Sequence, residues 1–183
     1  MFYSPIYDDL FCMYAEMYDL PDWRLLKAQA IIESRLNPAA KSQAGAMGLM
    51  QFMPKTFDSV KENEWDDPYD PETSIKYGAK YLKSLLETQT VNKIQGGCLD
   101  RYLVALKCYN GGIGWIGRAL KLIVGDISFL TLQDSQHILC AKFGYKKESL
   151  QENLDYPTKI LNLYQILKLE TKNEDYFYVN KTD

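Results

Sequence analysis

The spacing of apolar residues constrains this chain most: they recur three and four positions apart along nearly its whole length. No run alternates apolar and polar for long enough to build a substantial sheet. The chain is therefore expected to be mainly α-helical. The clearest helix start is Asp70-Pro71-Glu72, which joins an N-cap carboxylate, a first-turn proline and an acid beside the positive end of the helix dipole. Behind it, Ile75, Ala79, Leu82 and Leu86 fall on one face. Earlier helices are expected over residues 6–18 and 21–36, the second opened by Pro21 or Asp22 and stopped by Asn37-Pro38. A small-residue loop over 39–48, a short helix over 54–60 and a polar, acidic connection over 61–70 follow. Later helices are expected over 99–109, ended by Gly111 and Gly112 through positive φ, then over 113–124, more weakly over 132–143, and over 160–169. A loop reaches to about residue 152, and residues 170–183 read as a polar tail whose Tyr176-Phe177-Tyr178 patch packs back on the domain.

With 183 residues the chain fits one domain, 1–183, and 46% hydrophobic with 25% charged residues excludes a disordered chain or a membrane channel. A net charge of -3 gives no electrostatic footprint for nucleic acid. No stretch approaches the ~18 apolar residues of a transmembrane segment, and the first residues carry neither a basic region nor an apolar run, so no signal peptide is expected and synthesis in the cytoplasm is. Cys12, Cys98, Cys108 and Cys140 lack metal-binding spacing, lie among apolar neighbours and read as buried free thiols. One histidine, His137, leaves no basis for a histidine-rich metal site. Acid/base chemistry is therefore to be sought among the 24 carboxylates, with 14 tyrosines as partners.

One carboxylate stands out. On the 21–36 helix, Glu33 shares a face with Leu26, Gln29 and Ala30, so it lies on the buried stripe. It also sits in the last turn, where the dipole's negative end disfavours a second negative charge. Desolvation and dipole both favour the neutral acid, the direction a general acid requires.

From Glu33 the chain reads Glu33-Ser34-Arg35-Leu36-Asn37-Pro38, then Gly48-Leu49-Met50-Gln51-Phe52-Met53-Pro54. These blocks, with Cys108-Tyr109-Asn110-Gly111-Gly112 and a degraded Glu152-Asn153-Leu154-Asp155-Tyr156, resemble the soluble lytic transglycosylases in order and spacing. So does the stretch from Asp70 to Leu82, and the likeness covers residues 20–167. The resemblance implies a lysozyme-like, goose-type fold with little or no β-structure, and an enzyme that cleaves peptidoglycan without metal or cofactor. It implies Glu33 as catalytic acid and base, with Ser42, Gln51, Met53, Tyr109, Asn110 and Tyr156 contacting or shaping the bound glycan. Cys108 replaces the family's alanine and Asn153 its threonine. Pro157 either starts a helix or kinks one there, and residues 125–149 make the chain longer than a minimal family domain.

The resemblance further implies that the muramyl C6 hydroxyl, not water, attacks the anomeric carbon and closes a 1,6-anhydro ring. One protein carboxylate then suffices where a hydrolase uses two. A hydrolytic muramidase of goose-lysozyme type would need a second acid, for which Asp66, Asp67 and Asp70 are the candidates. A glycan-binding component of a virion or secretion machine with little activity is the alternative of another class. The setting expected is a phage endolysin released through a holin, or a virion-borne lysin.

Overall fold

The computed structural model describes residues 4–123, 125, 127–143 and 146–179. They form α1 (Asp8–Met17), α2 (Trp23–Ser34), α3 (Pro54–Val60), α4 (Pro71–Leu86), α5 (Gln89–Asn92), α6 (Cys98–Gly111), α7 (Ile113–Leu120), α8 (Phe129–Phe143) and α9 (Lys147–Val179). Among the described residues there is no strand beyond isolated bridges joining Lys41 to Met47 and Met47 to Phe52, as the mainly α reading requires. The chain divides into two compact units, one of Met1–Lys80 with Ile160–Asp183, the other of Tyr81–Lys159.

In the first unit α1 packs on α2, burying Phe11, Tyr14 and Ala15 with Leu25, Leu26, Ala28 and Ala30. Truncating a side chain as buried as Leu26 costs about 2–5 kcal/mol. Asp22 caps α2, its Oδ1 accepting from the Arg24 N–H at 2.9 Å. The buried Lys27 ammonium pairs with Asp8 and the Ser4 carbonyl, tying α1 to α2. The far part of α9 returns to the start of α2: Tyr164 Oη donates to Asp22 Oδ2 at 3.1 Å and Arg24 Nε to Thr171 Oγ1 at 2.8 Å. Asp70 caps α4, accepting from the Thr73 N–H at 2.8 Å.

In the second unit α6 packs on α5, α7 and α8, and its buried face carries Tyr102, Val104, Ala105, Leu106, Lys107 and Cys108. Gly112 ends α6 with φ 83°, whereas Gly111 stays helical.

Several boundaries differ from the sequence reading. α2 stops at Ser34, because Arg35 and Leu36 both adopt left-handed backbone (φ 56° and 60°), and Asn37-Pro38 lie already outside it. The segment up to residue 152 is not a loop from residue 147 onward: α9 begins at Lys147 and contains Pro157. The expected polar tail from residue 170 is helical to Val179, while the side chains of Tyr176, Phe177 and Tyr178 lie outside the described residues. All four cysteines are free, but only Cys108 is buried and Cys98 is exposed, since helix-start residues at a solvated N-terminus need no apolar cover.

Candidate active site

Glu33 sits in the last turn of α2, half-buried, at the open end of a stripe in which Leu26, Gln29 and Ala30 have no exposed surface. The turns that follow run it directly into the small-residue loop. Asn37 N–H donates to the Ser34 carbonyl at 3.1 Å, and the Ala39 N–H to Asn37 Oδ1 at 3.0 Å.

That loop is held by its own polar groups. Ser42 Oγ accepts from the Ala46 N–H at 2.9 Å, and Gln51, itself left-handed at φ 49°, donates from Nε2 to the carbonyls of Gly48 at 2.9 Å and Ala40 at 3.3 Å. Both residues thus brace the loop while keeping further capacity, the Ser42 hydroxyl proton and the Gln51 Oε1, for a ligand.

The loop lies against α4 for reasons visible at single atoms. At Gly48 (φ 71°) a Cβ would stand 1.8 Å from the Pro68 carbonyl oxygen, so only glycine admits that approach. At Gly78 on α4 a Cβ would meet the Met50 side chain at 2.7 Å, and the absent side chain is where Met50 packs. The Met50 N–H donates to Ser74 Oγ at 3.2 Å. Two methionines of the same motif therefore part company: Met50 is core at 0% exposure, whereas Met53 is 45% exposed. Beneath the loop, Phe57 meets Phe52 and Tyr77 edge-on, with centroids 5.6 and 5.7 Å apart.

The other three expected site residues belong to the second unit. Tyr109 is half-buried with its ring against Tyr81, 5.2 Å between centroids. Asn110 accepts at Oδ1 from Asn153 Nδ2 at 3.0 Å. Tyr156 is 5% exposed on α9, one turn beyond Asn153. Glu33, Ser42, Gln51 and Met53 are thus grouped in one unit, and Tyr109, Asn110 and Tyr156 in the other.

A buried polar group in this second unit was not anticipated. Lys107 has no exposed surface, and its ammonium donates to Gln136 Oε1 at 3.1 Å and to the Asn153 carbonyl at 3.3 Å. That carbonyl is the one Pro157, four residues on, cannot serve for lack of an N–H. Burial pushes the Lys107 pKa down to about 8, opposed by the negative charge of Asp155. The sequence did hold a signal for it: a lysine between Leu103-Val104-Ala105-Leu106 and Cys108, with Leu103 and Val104 on its own helix face.

Among the described residues no cluster of His, Cys, Asp and Glu could hold a metal, and no helix is long and apolar enough to cross a membrane.

The mainly helical fold is of the lysozyme-like class found in the soluble lytic transglycosylases. Within that class the chain belongs to the transglycosylase SLT domain family, whose model matches residues 9–123. It is 40% identical over 174 residues to the membrane-bound lytic murein transglycosylase F of Shewanella loihica, covering 89% of this chain and 34% of that protein. To the protein of the same name from Actinobacillus succinogenes it is 34% identical over 161 residues, 79% of this chain and 32% of the relative. Among solved structures, the 70-kDa soluble lytic transglycosylase from Escherichia coli superposes with TM-score 0.65 at 26% identity, over 88% of this chain and 24% of that one. An inactive mutant of lytic transglycosylase Slt from Pseudomonas aeruginosa gives TM-score 0.68 at 20% identity, over 92% and 25%, a likeness of fold. The chain therefore spans about a third of the curated relatives and a quarter of these structures.

Proposed function

We propose that the chain is a lytic transglycosylase acting on peptidoglycan, with Glu33 as its one catalytic acid and base. Glu33 protonates the glycosidic oxygen between N-acetylmuramic acid and N-acetylglucosamine, the C–O bond breaks, and the N-acetylglucosamine side leaves as an alcohol. The Glu33 carboxylate then takes the proton of the muramyl C6 hydroxyl as that oxygen bonds to the anomeric carbon. The products are a 1,6-anhydro end and regenerated acid, and no water is consumed. Family membership and the position of Glu33, half-buried where an apolar stripe meets the loop, support this assignment.

The observation that favours transglycosylation over hydrolysis is what the three other acids do. Asp66 accepts from the backbone N–H of Glu62 and Asn63 and from the Tyr77 hydroxyl. Asp67 closes a turn on the Tyr69 N–H at 2.9 Å, and Asp70 caps α4. The Tyr77 hydrogen bond holds the Asp66 carboxyl below the usual carboxylate range, away from a base poised near neutral pH. These three are the candidates for the second acid with which a hydrolase would activate water.

Ser42, Gln51 and Met53 are assigned to glycan contacts on the Glu33 side, and Tyr109, Asn110 and Tyr156 to the second set. Mass spectrometry of peptidoglycan digested by the full chain is expected to show 1,6-anhydromuramyl ends. Hydrated reducing ends would replace this reading with a muramidase. Glu33→Gln is expected to lower turnover at least about a hundredfold, the lower range for loss of a general acid, with folding and glycan binding retained; unchanged turnover would assign a binding role instead. If the chain is a phage endolysin, lysis of a host expressing it is expected to require a holin, and lysis without one would count against that setting.

A further inference from the structure

Four polar side chains of α6, α8 and α9 form one continuous relay inside the second unit. Beyond the two bonds of the Lys107 ammonium, Gln136 Nε2 donates to Asn153 Oδ1 at 2.7 Å. Asn153 Nδ2 donates to the Lys107 carbonyl at 2.9 Å and to Asn110 Oδ1 at 3.0 Å. Lys107, Gln136 and Asn153 are all buried, and Asn110 is half-buried.

The relay has a direction. An ammonium can only donate, so Lys107 turns Gln136 with Oε1 toward it and Nε2 toward Asn153. That sets Asn153 with its oxygen toward Gln136, and the Lys107 carbonyl, which can only accept, fixes the same orientation a second time. Reversing Asn153 would oppose two donors at Gln136 and two acceptors at the carbonyl, leaving buried groups unsatisfied at about 1–3 kcal/mol each. With its oxygen taken by Asn153, Asn110 is left with Nδ2 as the donor at the open end.

We infer that Lys107, Gln136 and Asn153 are positioning residues that hold the Asn110 carboxamide with its NH2 turned to an acceptor oxygen of the glycan, a sugar hydroxyl or an acetamido carbonyl. The inference rests on the reading of Asn110 as a substrate-binding residue; the other three act through it. It gives a reason for a costly feature. Neither hydrogen-bond partner of the Lys107 ammonium is a carboxylate, so the charge is buried without a directly paired counter-charge. Among the described residues, the titratable groups facing it are Asp155 of α9, which favours the ammonium, and Cys108 of α6, whose thiol burial pushes up to about 12 and so keeps neutral. From α8, the Phe129 ring lies 5.2 Å from the ammonium, measured to its centroid. At neutral pH Lys107 is therefore mostly protonated and an obligate donor.

The test is steady-state release of anhydro-ended fragments from soluble peptidoglycan glycan strands by the full chain. Wild type, Lys107→Met, Asn110→Ala and the double variant are compared, each checked by thermal unfolding. Lys107→Met is expected to raise KM about tenfold, the loss of one oriented hydrogen bond, with kcat within about twofold. In the Asn110→Ala background the same change is expected to alter KM less than about twofold, because residues acting through one group are not additive. Equal effects in both backgrounds, or a fall in kcat at constant KM, would overturn the inference. A second measurement needs neither a folded variant nor an active wild type: the side-chain NH2 resonances of Asn110 in labelled protein, followed from pH 6 to pH 10. They are expected to shift with a midpoint near 8, together with those of Gln136 and Asn153. Asn110 signals that stay fixed while Lys107 titrates would refute the relay. A wild type that yields no anhydro ends but shows the coupled shift would refute the proposed function and support the relay.

Discussion

Replacing Gly48 by alanine tests how the small-residue loop after α2 is held, and Gly45 supplies its control. Both residues have positive φ, 71° and 89°, so either substitution forces an L-residue into a left-handed backbone at about 1–2 kcal/mol. They differ in surroundings. A Cβ at Gly45 meets nothing within 4 Å, whereas one at Gly48 lands 1.8 Å from the Pro68 carbonyl oxygen, 2.9 Å from its carbon and 3.1 Å from Ser74 Oγ. Backbone must then retreat by more than about 1 Å, and two hydrogen bonds stand in the way: Gly48 N–H to the Ala40 carbonyl at 2.9 Å and Met50 N–H to Ser74 Oγ at 3.2 Å. At about 1 kcal/mol each, with the backbone strain added, Gly48→Ala is expected to cost about 3–4 kcal/mol and Gly45→Ala about 1–2. Urea unfolding read by circular dichroism gives both values. If the two variants fall within about 1 kcal/mol of each other, the loop is not pinned by the approach to Pro68 and the reasoning fails.

Two further substitutions separate opposite signs. Gln29 is fully buried on the α2 stripe, and among the described residues neither its Oε1 nor its Nε2 has a partner; Gln29→Met is expected to stabilise the fold by about 1–2 kcal/mol, raising the thermal midpoint. A fall of similar size would show that the amide binds something in solution. Asp66 has its pKa lowered chiefly by the Tyr77 hydroxyl, helped by the Asn63 and Glu62 N–H groups. The stability it contributes is therefore complete above its ordinary pKa and fades as pH falls through the lower folded value. The stability gap between wild type and Asp66→Asn is expected to stay constant near neutrality and to close below about pH 4, whereas a gap unchanged down to pH 2 would refute that origin.

What could be read from the sequence was local. The caps Asp22 and Asp70 start their helices through bonds to N–H groups two and three residues on. Helical periodicity alone put Glu33 on the stripe of Leu26, Gln29 and Ala30. The errors fall where a distant residue overrides a local preference. Pro157 argues against a helix, since an interior proline costs about 3 kcal/mol, yet α9 runs through it because a lysine from α6 meets the carbonyl left open. Polar residues 170–179 read as tail because nothing nearby in sequence announces the pairing of Thr171 with Arg24. Asn153 looked like decay of a motif and is instead a junction of four hydrogen bonds. Met50 and Met53 are indistinguishable by residue type, and only the space at Gly78 separates them.

The pairing of Lys107 with the carbonyl four residues before Pro157 also bears on the order in which such a chain can change. Losing the lysine first strands a buried carbonyl; losing the proline first restores an N–H to that carbonyl and relieves the ammonium of one of its two bonds. Mutational drift therefore has a permissive route and a blocked one between the same two endpoints. A library varying both positions at random should recover the apolar residue at 107 chiefly in chains that have already given up the proline.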